Sequence, residues 1–385
     1  MPQAPLAKML VKEQFFSFAS PEKPFKLRCG KTLSEVNVCF ETYGQLNTKK
    51  NNAILICHAL TGSAHAAGRH SEDERKPGWW DEMIGPGKSF DTNKYFIVCS
   101  NILSSCYGTT GPQSISPETK QPYNLDFPMT TIYDMVNVQH ELMQHLTIDK
   151  WLAVTGGSLG GMQALQWAVT YPEKVHACLP IATAAQCSPL SIGFNWVGRE
   201  SIIKDEHFDD GNYPQGSQPE KGLSIARMIA HMTYLSDAAM QNKFGRKLQE
   251  MDDVNYKFTH NFQVESYLNY QGRQFVNRFD ANSYLYITRS MDYFNLSEES
   301  ENNCLAQALA KTLCQFCIVS FSSDWLFPPY QSVEIVNALA ENHRTATYCN
   351  IKSDAGHDAF LLEVDILAPI ISNFLEQQQE GLANA

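Results

Sequence analysis

A cluster of glycines around one serine constrains the fold of this chain more than any other stretch of its sequence. In "VTGGSLGGMQALQWA", residues 154–168, four glycines flank the pair Ser158 and Leu159. Glycine is costly inside a helix or strand, so the cluster indicates a turn that other residues could not form. An apolar run precedes the turn and strong helix formers follow it. The sequence therefore predicts a strand, a sharp turn that carries Ser158, and a helix.

Apolar runs of strand length recur along the chain and end in turn residues. Continuous apolar strands are typical of a parallel sheet that is buried on both faces. The runs lie at residues 53–58, 95–100, 151–156, 178–183, 316–321 and 345–350, and "VNVCFETYG" alternates like a further strand. Apolar residues at helical spacing over 132–146 and after Ser158 place helices between them. This alternation predicts an α/β fold with a mostly parallel central sheet flanked by helices.

The stretch from residue 187 to 300 breaks this rhythm. It is richer in charged and aromatic residues, and helical patterns such as "GLSIARMIAHMTYLSDAAMQNKF" dominate until "QFCIVSF" resumes a strand pattern. We interpret residues 187–300 as a helical lid domain inserted into a core domain of residues 1–186 and 301–385. A chain of 385 residues is long for one compact core, which agrees with an insertion. The tail "EQQQEGLANA" is predicted to be loose.

Charge and composition limit the classes of partner. The formal net charge of −11 disfavours nucleic acid and anionic membranes, because both need clustered Lys and Arg. No apolar run reaches the roughly 18 residues of a spanning helix, and the N-terminus lacks the apolar core of a signal peptide. The eleven cysteines are irregularly spaced and several lie in strand-like runs, so we expect reduced core residues. These features predict a cytoplasmic protein without a nucleic-acid or membrane partner.

The serine turn fits a known chemical pattern. Residues 156–160, "GGSLG", match the G-x-S-x-G of a nucleophile elbow, between the strand and the helix that such an elbow needs. The free N–H groups at the helix N-terminus favour a developing negative charge beside the serine. A purely structural glycine turn is the alternative. A phosphate-binding loop is excluded, because it needs Lys after the last glycine, where this chain has Met162.

A serine nucleophile needs a base and a carboxylate that orients the base. In α/β-hydrolase proteins these residues follow the serine in the order acid, then histidine. "SFSSDWLFPP" offers Asp324 at a strand end, and "SDAGHDAFLLE" offers His357 before an apolar helix. Each match is weak alone. The three residues in this order at strand ends predict a triad of Ser158, Asp324 and His357 on an α/β-hydrolase fold.

The loop "ICHALTG" follows another predicted buried strand. In this fold that loop supplies one N–H of the oxyanion hole and the residue after the serine supplies the other, which assigns Leu60 and Leu159. We interpret His58, in the same loop, as a residue that packs or orients the loop. The spacing of His58, His65 and His70 fits no metal site, and we therefore expect no metal.

Seven segments resemble the homoserine O-acyltransferases of methionine biosynthesis, over about residues 15–375. They are "HALTGSAHAAG", "GWWDEMIGPGKSFDTNKYFIVCSN", "CYGTTGP", "TGGSLGGMQALQWA", "GLSIARMIAHMTYLS", "SDWLFPP" and "GHDAFLLE". The resemblance implies ping-pong transfer of an acetyl group from acetyl-CoA, through Ser158, to the γ-hydroxyl of L-homoserine. Acetyl-CoA is then a co-substrate and no further cofactor is implied. The resemblance also implies a homodimer.

The same resemblance assigns residues to the two substrates. It places the homoserine carboxylate at Arg227 and the amine at Asp358. Succinyl-using members tend to carry a basic residue two places after the catalytic aspartate, whereas this chain has Leu326, which favours acetyl-CoA. A succinyl donor, a serine acceptor and a plain esterase remain alternatives, although an esterase would not need Arg227 and Asp358. A non-catalytic binding protein is disfavoured because all three triad residues are present.

Overall fold

The computed structural model describes residues 9–214, 216–249 and 253–383. Residues 1–8 of the predicted core domain, residues 215 and 250–252 of the predicted lid and the last two residues of the tail lie outside these ranges. The strands are β1 Gln14–Phe18, β2 Phe25–Lys26, β3 Thr32–Leu33, β4 Val36–Tyr43, β5 Ala53–Cys57, β6 Ile84–Gly85, β7 Phe90–Asp91, β8 Phe96–Ser100, β9 Ala153–Gly157, β10 Ala177–Ile181, β11 Gln315–Phe321 and β12 Ala346–Ile351. The helices are α1 Ile132–His145, α2 Leu159–Thr170, α3 Pro189–Ile203, α4 Glu220–Tyr234, α5 Asp237–Lys243, α6 Gln263–Val276, α7 Ala281–Asp292, α8 Leu305–Ala310, α9 Pro329–Glu341, α10 Ala359–Leu362 and α11 Val364–Ala383.

Eight of the strands form one sheet in the order β1-β4-β8-β5-β9-β10-β11-β12. The pairs β1–β4 and β4–β8 are antiparallel, and every pair from β8 to β12 is parallel. This confirms the predicted α/β fold with a mostly parallel sheet. The six apolar runs match β5, β8, β9, β10, β11 and β12 within about two residues, and the predicted helix at 132–146 matches α1. The alternating "VNVCFETYG" forms β4.

The parallel strands are buried on both faces, which explains their continuous apolar sequence. In β5, Leu55 packs into the core on the face that carries α1 and α2, whereas Ile54 and Ile56 pack on the other face. Side chains of α11, including Leu367 and Ile371, cover that second face. Because successive residues of a strand point to opposite faces, every position of β5 must be apolar.

Two expectations about single segments have clear outcomes. The predicted loose tail is wrong for its described part, because residues 364–383 continue as helix α11, which buries an apolar stripe on the sheet. Like every helix in the described ranges, α11 lacks the combination of length and apolar character that crossing a membrane requires. All eleven cysteines are free, and those of β5, β8 and β11 are buried in the core as predicted.

Helices α3 to α7 lie between β10 and β11 in the chain, within the segment interpreted as a lid. Helix α4 packs between α3 and α6. Gly222 allows the close contact with α3, because a methyl group there would overlap the carbonyl oxygen of Ser201. Its N–H also donates to the Asp205 carboxylate at 2.7 Å. The division into a core and a lid domain remains a prediction from the sequence.

We expect Gly222→Ala to destabilise the protein by about 1–3 kcal/mol, the usual cost of forcing extra atoms into a packed contact. Gly193→Ala is the matched control, since Gly193 lies in α3 and an added methyl group there has no atom within 4 Å. That control should stabilise the helix by about 0.5–1 kcal/mol. Urea unfolding of both variants measures the difference, and equal stability of the two would contradict the proposed α3–α4 contact.

Candidate active site

Ser158 lies at the apex of the turn between β9 and α2. Its backbone angles are φ 59° and ψ −122°, a conformation that costs free energy for any residue with a side chain. Two hydrogen bonds hold the strained turn. The Ser158 N–H donates to the Ile181 carbonyl at 2.9 Å, and the Thr183 hydroxyl donates to the Ser158 carbonyl at 2.8 Å. The geometry is that of a nucleophile elbow, as the sequence predicted.

The glycines beside Ser158 allow the end of β5 to lie against the turn. A methyl group at Gly156 or at Gly160 would overlap the Cys57 carbonyl oxygen at the end of β5. Without these glycines the loop after β5 could not approach the serine. That loop carries Leu60, which lines one small cavity together with Ser158.

Asp324 and His357 come together at the same edge of the sheet. The loop after β11 carries Asp324, whose Oδ1 accepts the N–H groups of Leu326 at 3.0 Å and Phe327 at 2.9 Å. Its Oδ2 lies 2.8 Å from Nδ1 of His357. Both side chains are buried. The two backbone bonds fix the carboxylate, and the carboxylate fixes the imidazole with Nε2 free to act as a base.

The electrostatics of this pair favour a protonated imidazole. Burial lowers the pKa of His357, but the Asp324 carboxylate, through its charge and its hydrogen bond, raises it more, and Asp358 adds a smaller contribution. The net pKa of His357 is raised above its ordinary value. A raised pKa means that the imidazolium formed on taking a proton from a serine is stabilised.

Two aromatic rings join the acid–base pair to the serine. The ring centroid of His357 lies 6.0 Å from that of Tyr234 and 5.2 Å from that of Phe327. Both aromatic residues also line the cavity that contains Ser158. The structure therefore brings all three predicted triad residues to one site.

Two backbone N–H groups at this site have no acceptor. Leu159 is the first residue of α2, where helix geometry leaves N–H groups without an intrahelical partner. Within the described part of the chain, neither the Leu159 N–H nor the Leu60 N–H donates a hydrogen bond. Leu159 follows Ser158 in the chain and Leu60 lines the same cavity as Ser158, so both groups fit the role of stabilising an oxyanion formed there.

His58 holds the loop that carries Leu60. Its Nδ1 lies 2.8 Å from the Ala59 carbonyl, and the Ile102 N–H donates to its Nε2 at 3.2 Å. This assigns the proton to Nδ1. Burial lowers the pKa of His58 to about 4, so the ring is neutral near pH 7. Its contacts fit the loop-orienting interpretation made from the sequence.

Arg227 lies on α4 and contacts Tyr234, which in turn contacts His357. Its guanidinium packs over Phe275, at 4.8 Å, and Tyr234, at 5.5 Å, and donates one hydrogen bond to the Thr61 hydroxyl at 3.3 Å. The Nε atom is buried without a partner, and no carboxylate of the described residues forms an ion pair with Arg227. A buried cation without a counter-ion is costly, so the arrangement suits an anionic ligand.

Asp358 places a carboxyl group near the base. It follows His357 directly in the chain. Burial raises the pKa of Asp358, and the charges of His357 and Arg227 partly oppose that rise. Arg227 and Asp358 thus place a cation and a carboxyl group close enough to interact electrostatically, and an amino-acid zwitterion has a complementary charge for each.

Comparisons with known proteins agree with this geometry. The sequence profile of the alpha/beta hydrolase fold matches residues 52–364. A homoserine O-acetyltransferase of Deferribacter desulfuricans is 51% identical over 375 residues, which is 97% of this chain and 98% of that relative. This chain belongs to the homoserine O-acetyltransferase family.

Solved structures extend the comparison. A homoserine O-acetyltransferase from Bacillus anthracis superimposes with a TM-score of 0.89 at 29% identity, covering 95% of this chain and 98% of the other. Esterase E22 superimposes with a TM-score of 0.87 at 31% identity, covering 95% of this chain and all of the other. The same architecture thus occurs in a protein named as an acetyltransferase and in one named as an esterase. The fold alone therefore does not decide between acyl transfer and hydrolysis, and the side chains that bind the substrate must do so.

The cavity beside Ser158 is small, about 40 Å³, and mostly apolar. Leu326 lines it, together with Ile229, Tyr284 and Met291 from the helical segment. None of the described residues that line it is charged. Leu326 therefore contributes an apolar surface to this cavity.

The sequence analysis assigned no role to Tyr234 or Thr61. Both contact Arg227, and Tyr234 also contacts His357. The only signal for Tyr234 in the sequence was its place seven residues after Arg227, which puts both on one face of α4. Thr61 carried no signal, because its contact depends on how the loop after β5 meets α4.

The structure groups two of the three histidines considered as metal ligands. His65 and His70 meet Glu41 of β4, and their ligand atoms lie within 4.8 Å of one another, whereas His58 is elsewhere. The buried Glu41 carboxylate lies 3.1 Å from His65 Nδ1 and 2.7 Å from His70 Nε2, and accepts from Tyr43 at 2.6 Å. These three contacts satisfy the carboxylate, so the cluster explains how Glu41 is buried.

We expect His357 to titrate above the ordinary histidine pKa of about 6.5, and Asp324→Asn to lower that pKa because burial then acts with less opposition. NMR titration of the imidazole C–H signal measures both values. Asp354→Asn is the control, since Asp354 is exposed in the same loop and should leave the value unchanged. An unchanged pKa in Asp324→Asn would show that the carboxylate does not govern this histidine.

Proposed function

We propose that this chain transfers the acetyl group of acetyl-CoA to the γ-hydroxyl of L-homoserine. The observation that carries the proposal is a pair of opposite charges near His357 and Asp324: Arg227, which has no ion-pair partner among the described residues, and Asp358, whose carboxyl group feels the charges of both Arg227 and His357. Ester hydrolysis needs the triad and the oxyanion hole but no receptor for a zwitterion. The relatives named homoserine O-acetyltransferase support the same conclusion.

In the first half-reaction, His357 takes the proton of the Ser158 hydroxyl, and the oxygen attacks the thioester carbonyl. The N–H groups of Leu60 and Leu159 stabilise the oxyanion, and Asp324 stabilises the imidazolium. The C–S bond breaks, and His357 gives its proton to the leaving thiolate. The products are CoA and acetyl-Ser158.

In the second half-reaction, homoserine occupies the place that CoA has left. Arg227 binds its carboxylate with two parallel hydrogen bonds, and Asp358 binds its ammonium group. His357 takes the γ-hydroxyl proton, the oxygen attacks the acetyl carbonyl, and the proton passes to Ser158 Oγ as the ester bond breaks. Positioning the hydroxyl in this way gives it an advantage over water, which binds without such contacts.

We expect Arg227→Ala to slow transfer to homoserine by about 100-fold or more, because a charged partner of the acceptor is lost. The variant should still form acetyl-enzyme from acetyl-CoA at a similar rate, since the first half-reaction does not use the acceptor receptor. Single-turnover measurements of CoA release and of O-acetylhomoserine formation separate the two steps.

Ser158→Ala is the control for that experiment and should form no acetyl-enzyme. Equal loss of both half-reactions in Arg227→Ala would assign Arg227 to structure or to CoA. Serine replaces homoserine in a parallel assay, because a serine O-acyltransferase would have the same receptor. Hydrolysis of acetyl-CoA that homoserine does not divert to O-acetylhomoserine would identify an esterase.

We propose acetyl-CoA, not succinyl-CoA, as the donor. A succinyl carboxylate would enter a small cavity whose described lining includes no cation, and burying an unpaired charge is costly. We expect kcat/KM for acetyl-CoA to exceed that for succinyl-CoA by about 100-fold or more. Leu326→Arg should raise succinyl-CoA use and lower acetyl-CoA use, because the new cation finds a partner only in the free carboxylate of the succinyl group.

Leu326→Met is the matched control for the donor experiment, since it keeps an apolar side chain of similar size and should leave the preference unchanged. A native enzyme that already prefers succinyl-CoA would show that another group binds the succinyl carboxylate.

The two half-reactions use only proton transfers and an acyl transfer, so we propose no cofactor besides the co-substrate. Eleven free cysteines agree with a cytoplasmic location, and the acidic charge of the chain agrees with the absence of nucleic-acid and membrane partners.

We also propose a homodimer formed through α3 and α4. These packed helices expose large apolar side chains, Trp196 and Val197 on α3 and Ile225 and Met232 on α4, as interfaces commonly do. Light scattering after size exclusion should give twice the chain mass. Trp196→Glu should give monomers, and Tyr330→Glu, an exposed position on α9, should not. A native protein of monomer mass would contradict the proposal.

A further inference from the structure

A cleft of about 530 Å³ borders the loop after β5 and includes Arg227 in its lining. Thr61 and Arg227 lie in its wall, as do Phe360 and Leu361, which closely follow the catalytic histidine in the chain. Its volume exceeds what an amino acid such as homoserine needs. The cleft therefore has room for a larger ligand beside the acceptor position.

The charge of this cleft is opposite to that of the whole chain. Three cations line it, Lys76, Arg227 and Arg278, and none of its described lining residues is a carboxylate. Three other large surface depressions also hold a lysine or arginine, and each of those also holds at least one carboxylate; one of them shares Arg278 with the cleft and includes Glu220 and Asp280. In a chain with a net charge of −11, a cleft with only positive charges suits a ligand that carries several negative charges.

Arg278 is held in place with donors to spare. Its Nη1 donates to the Thr61 carbonyl at 3.0 Å and to the Tyr107 hydroxyl at 2.9 Å, and its guanidinium packs over the Phe275 ring at 5.1 Å. The nearby Asp280 carboxylate is occupied by Gln113, Tyr213 and the N–H that it caps in α7. Nη2 and Nε of Arg278 donate to no acceptor in the described ranges, so they are available to a phosphate.

Lys76 and Trp79 add a second cation and a flat ring to the lining of the cleft. Lys76 is exposed and has no ion-pair partner among the described residues. Trp79, three residues later, is fixed by its indole N–H, which donates to the Ser63 carbonyl at 2.9 Å, and by the parallel ring of Trp80. A rigid indole beside two cations is suited to a nucleotide, whose base stacks while its phosphates meet the charges.

We propose that Lys76 and Arg278 bind the phosphate groups of acetyl-CoA and that its pantetheine arm runs along the cleft to Ser158. This inference rests on the proposed function and names the donor subsite of the same active site. The ping-pong order makes the two uses of the cleft compatible, because CoA leaves before homoserine binds to Arg227. In this assignment Arg227 binds the carboxylate of the acceptor, and Arg278 and Lys76 bind the phosphates of the donor.

The test compares three acetyl donors that differ in phosphate content: acetyl-CoA, 3′-dephospho-acetyl-CoA and acetyl-pantetheine. We expect Arg278→Ala to lower kcat/KM for acetyl-CoA by about 10- to 100-fold, the usual effect of losing a charge-assisted hydrogen-bonding partner. The loss should be smaller for the dephospho donor and smallest for acetyl-pantetheine. Lys76→Ala should show the same order with a smaller loss, and Arg278→Lys should recover part of the acetyl-CoA activity.

Lys94→Ala is the control, because Lys94 pairs with Glu376 on the surface and lies outside the cleft lining. An equal loss for all three donors in Arg278→Ala would overturn the proposal and assign Arg278 to support of the Thr61 loop. Unchanged use of acetyl-CoA would overturn it as well. Calorimetric binding of CoA and of pantetheine to the native protein and to Arg278→Ala decides the subsite without turnover. A protein that binds CoA through Arg278 but does not acetylate homoserine would refute the proposed function and leave this subsite standing.

Discussion

The site depends on a contact between two strand ends. The carbonyl oxygen that ends β5 lies against Gly156 and Gly160, where no side chain could fit. This contact sets Ser158 in its strained conformation beside the loop of Leu60. The strain is tolerated because β10 and the residues after it hold the turn through hydrogen bonds to the backbone of Ser158. Ser158 and two N–H groups that have no acceptor among the described residues thereby lie together before any substrate arrives. Such preorganisation is usually the largest single contribution to catalysis of acyl transfer.

The molecule divides its chemistry between the sheet and the helices inserted after β10. The sheet edge supplies the serine, the acid and the base, which any acyl hydrolase of this fold needs. Helix α4 supplies Arg227 and Tyr234, and Tyr234 contacts both Arg227 and His357. Gly356 fixes this junction, since it has φ 79° and lies directly against the backbone that follows α4. The position of α4 therefore sets where an acceptor hydroxyl meets the base, and the same sheet can serve esterases and transferases.

Sequence reasoning predicted the parts of this site that are local and missed those that depend on packing. Strands buried on both faces must be apolar throughout, so β5 and β8 to β12 were visible as runs. The elbow was visible because only glycine fits at Gly156 and Gly160. By contrast, β1 has only five residues, none of them fully buried and without regular alternation of polar and apolar side chains, and it was missed at the antiparallel edge of the sheet. Glu41 was missed because β4 conceals a single carboxylate whose partners, His65 and His70, lie more than twenty residues away. The positive cleft joins Lys76 to Arg278 across about 200 residues, and no local pattern reports such a pairing.

The charges near His357 distinguish an amino-acid acceptor from acetyl-CoA and from water. No ion pair joins Arg227 to Asp358 within the described ranges, although burial makes each charge costly. Pairing of both groups with a zwitterion offsets this desolvation free energy. The thioester of acetyl-CoA is uncharged, so it cannot pair with Arg227 and Asp358 and does not offset the cost of burying them. Acetyl-CoA must therefore be bound by other contacts. The acceptor offsets that cost only where its γ-hydroxyl also meets the base, which concentrates its binding free energy on the reactive pose. Water and simple alcohols carry no such charges, so under the proposed function Arg227 and Asp358 favour transfer to an amino acid over hydrolysis without any change to the triad.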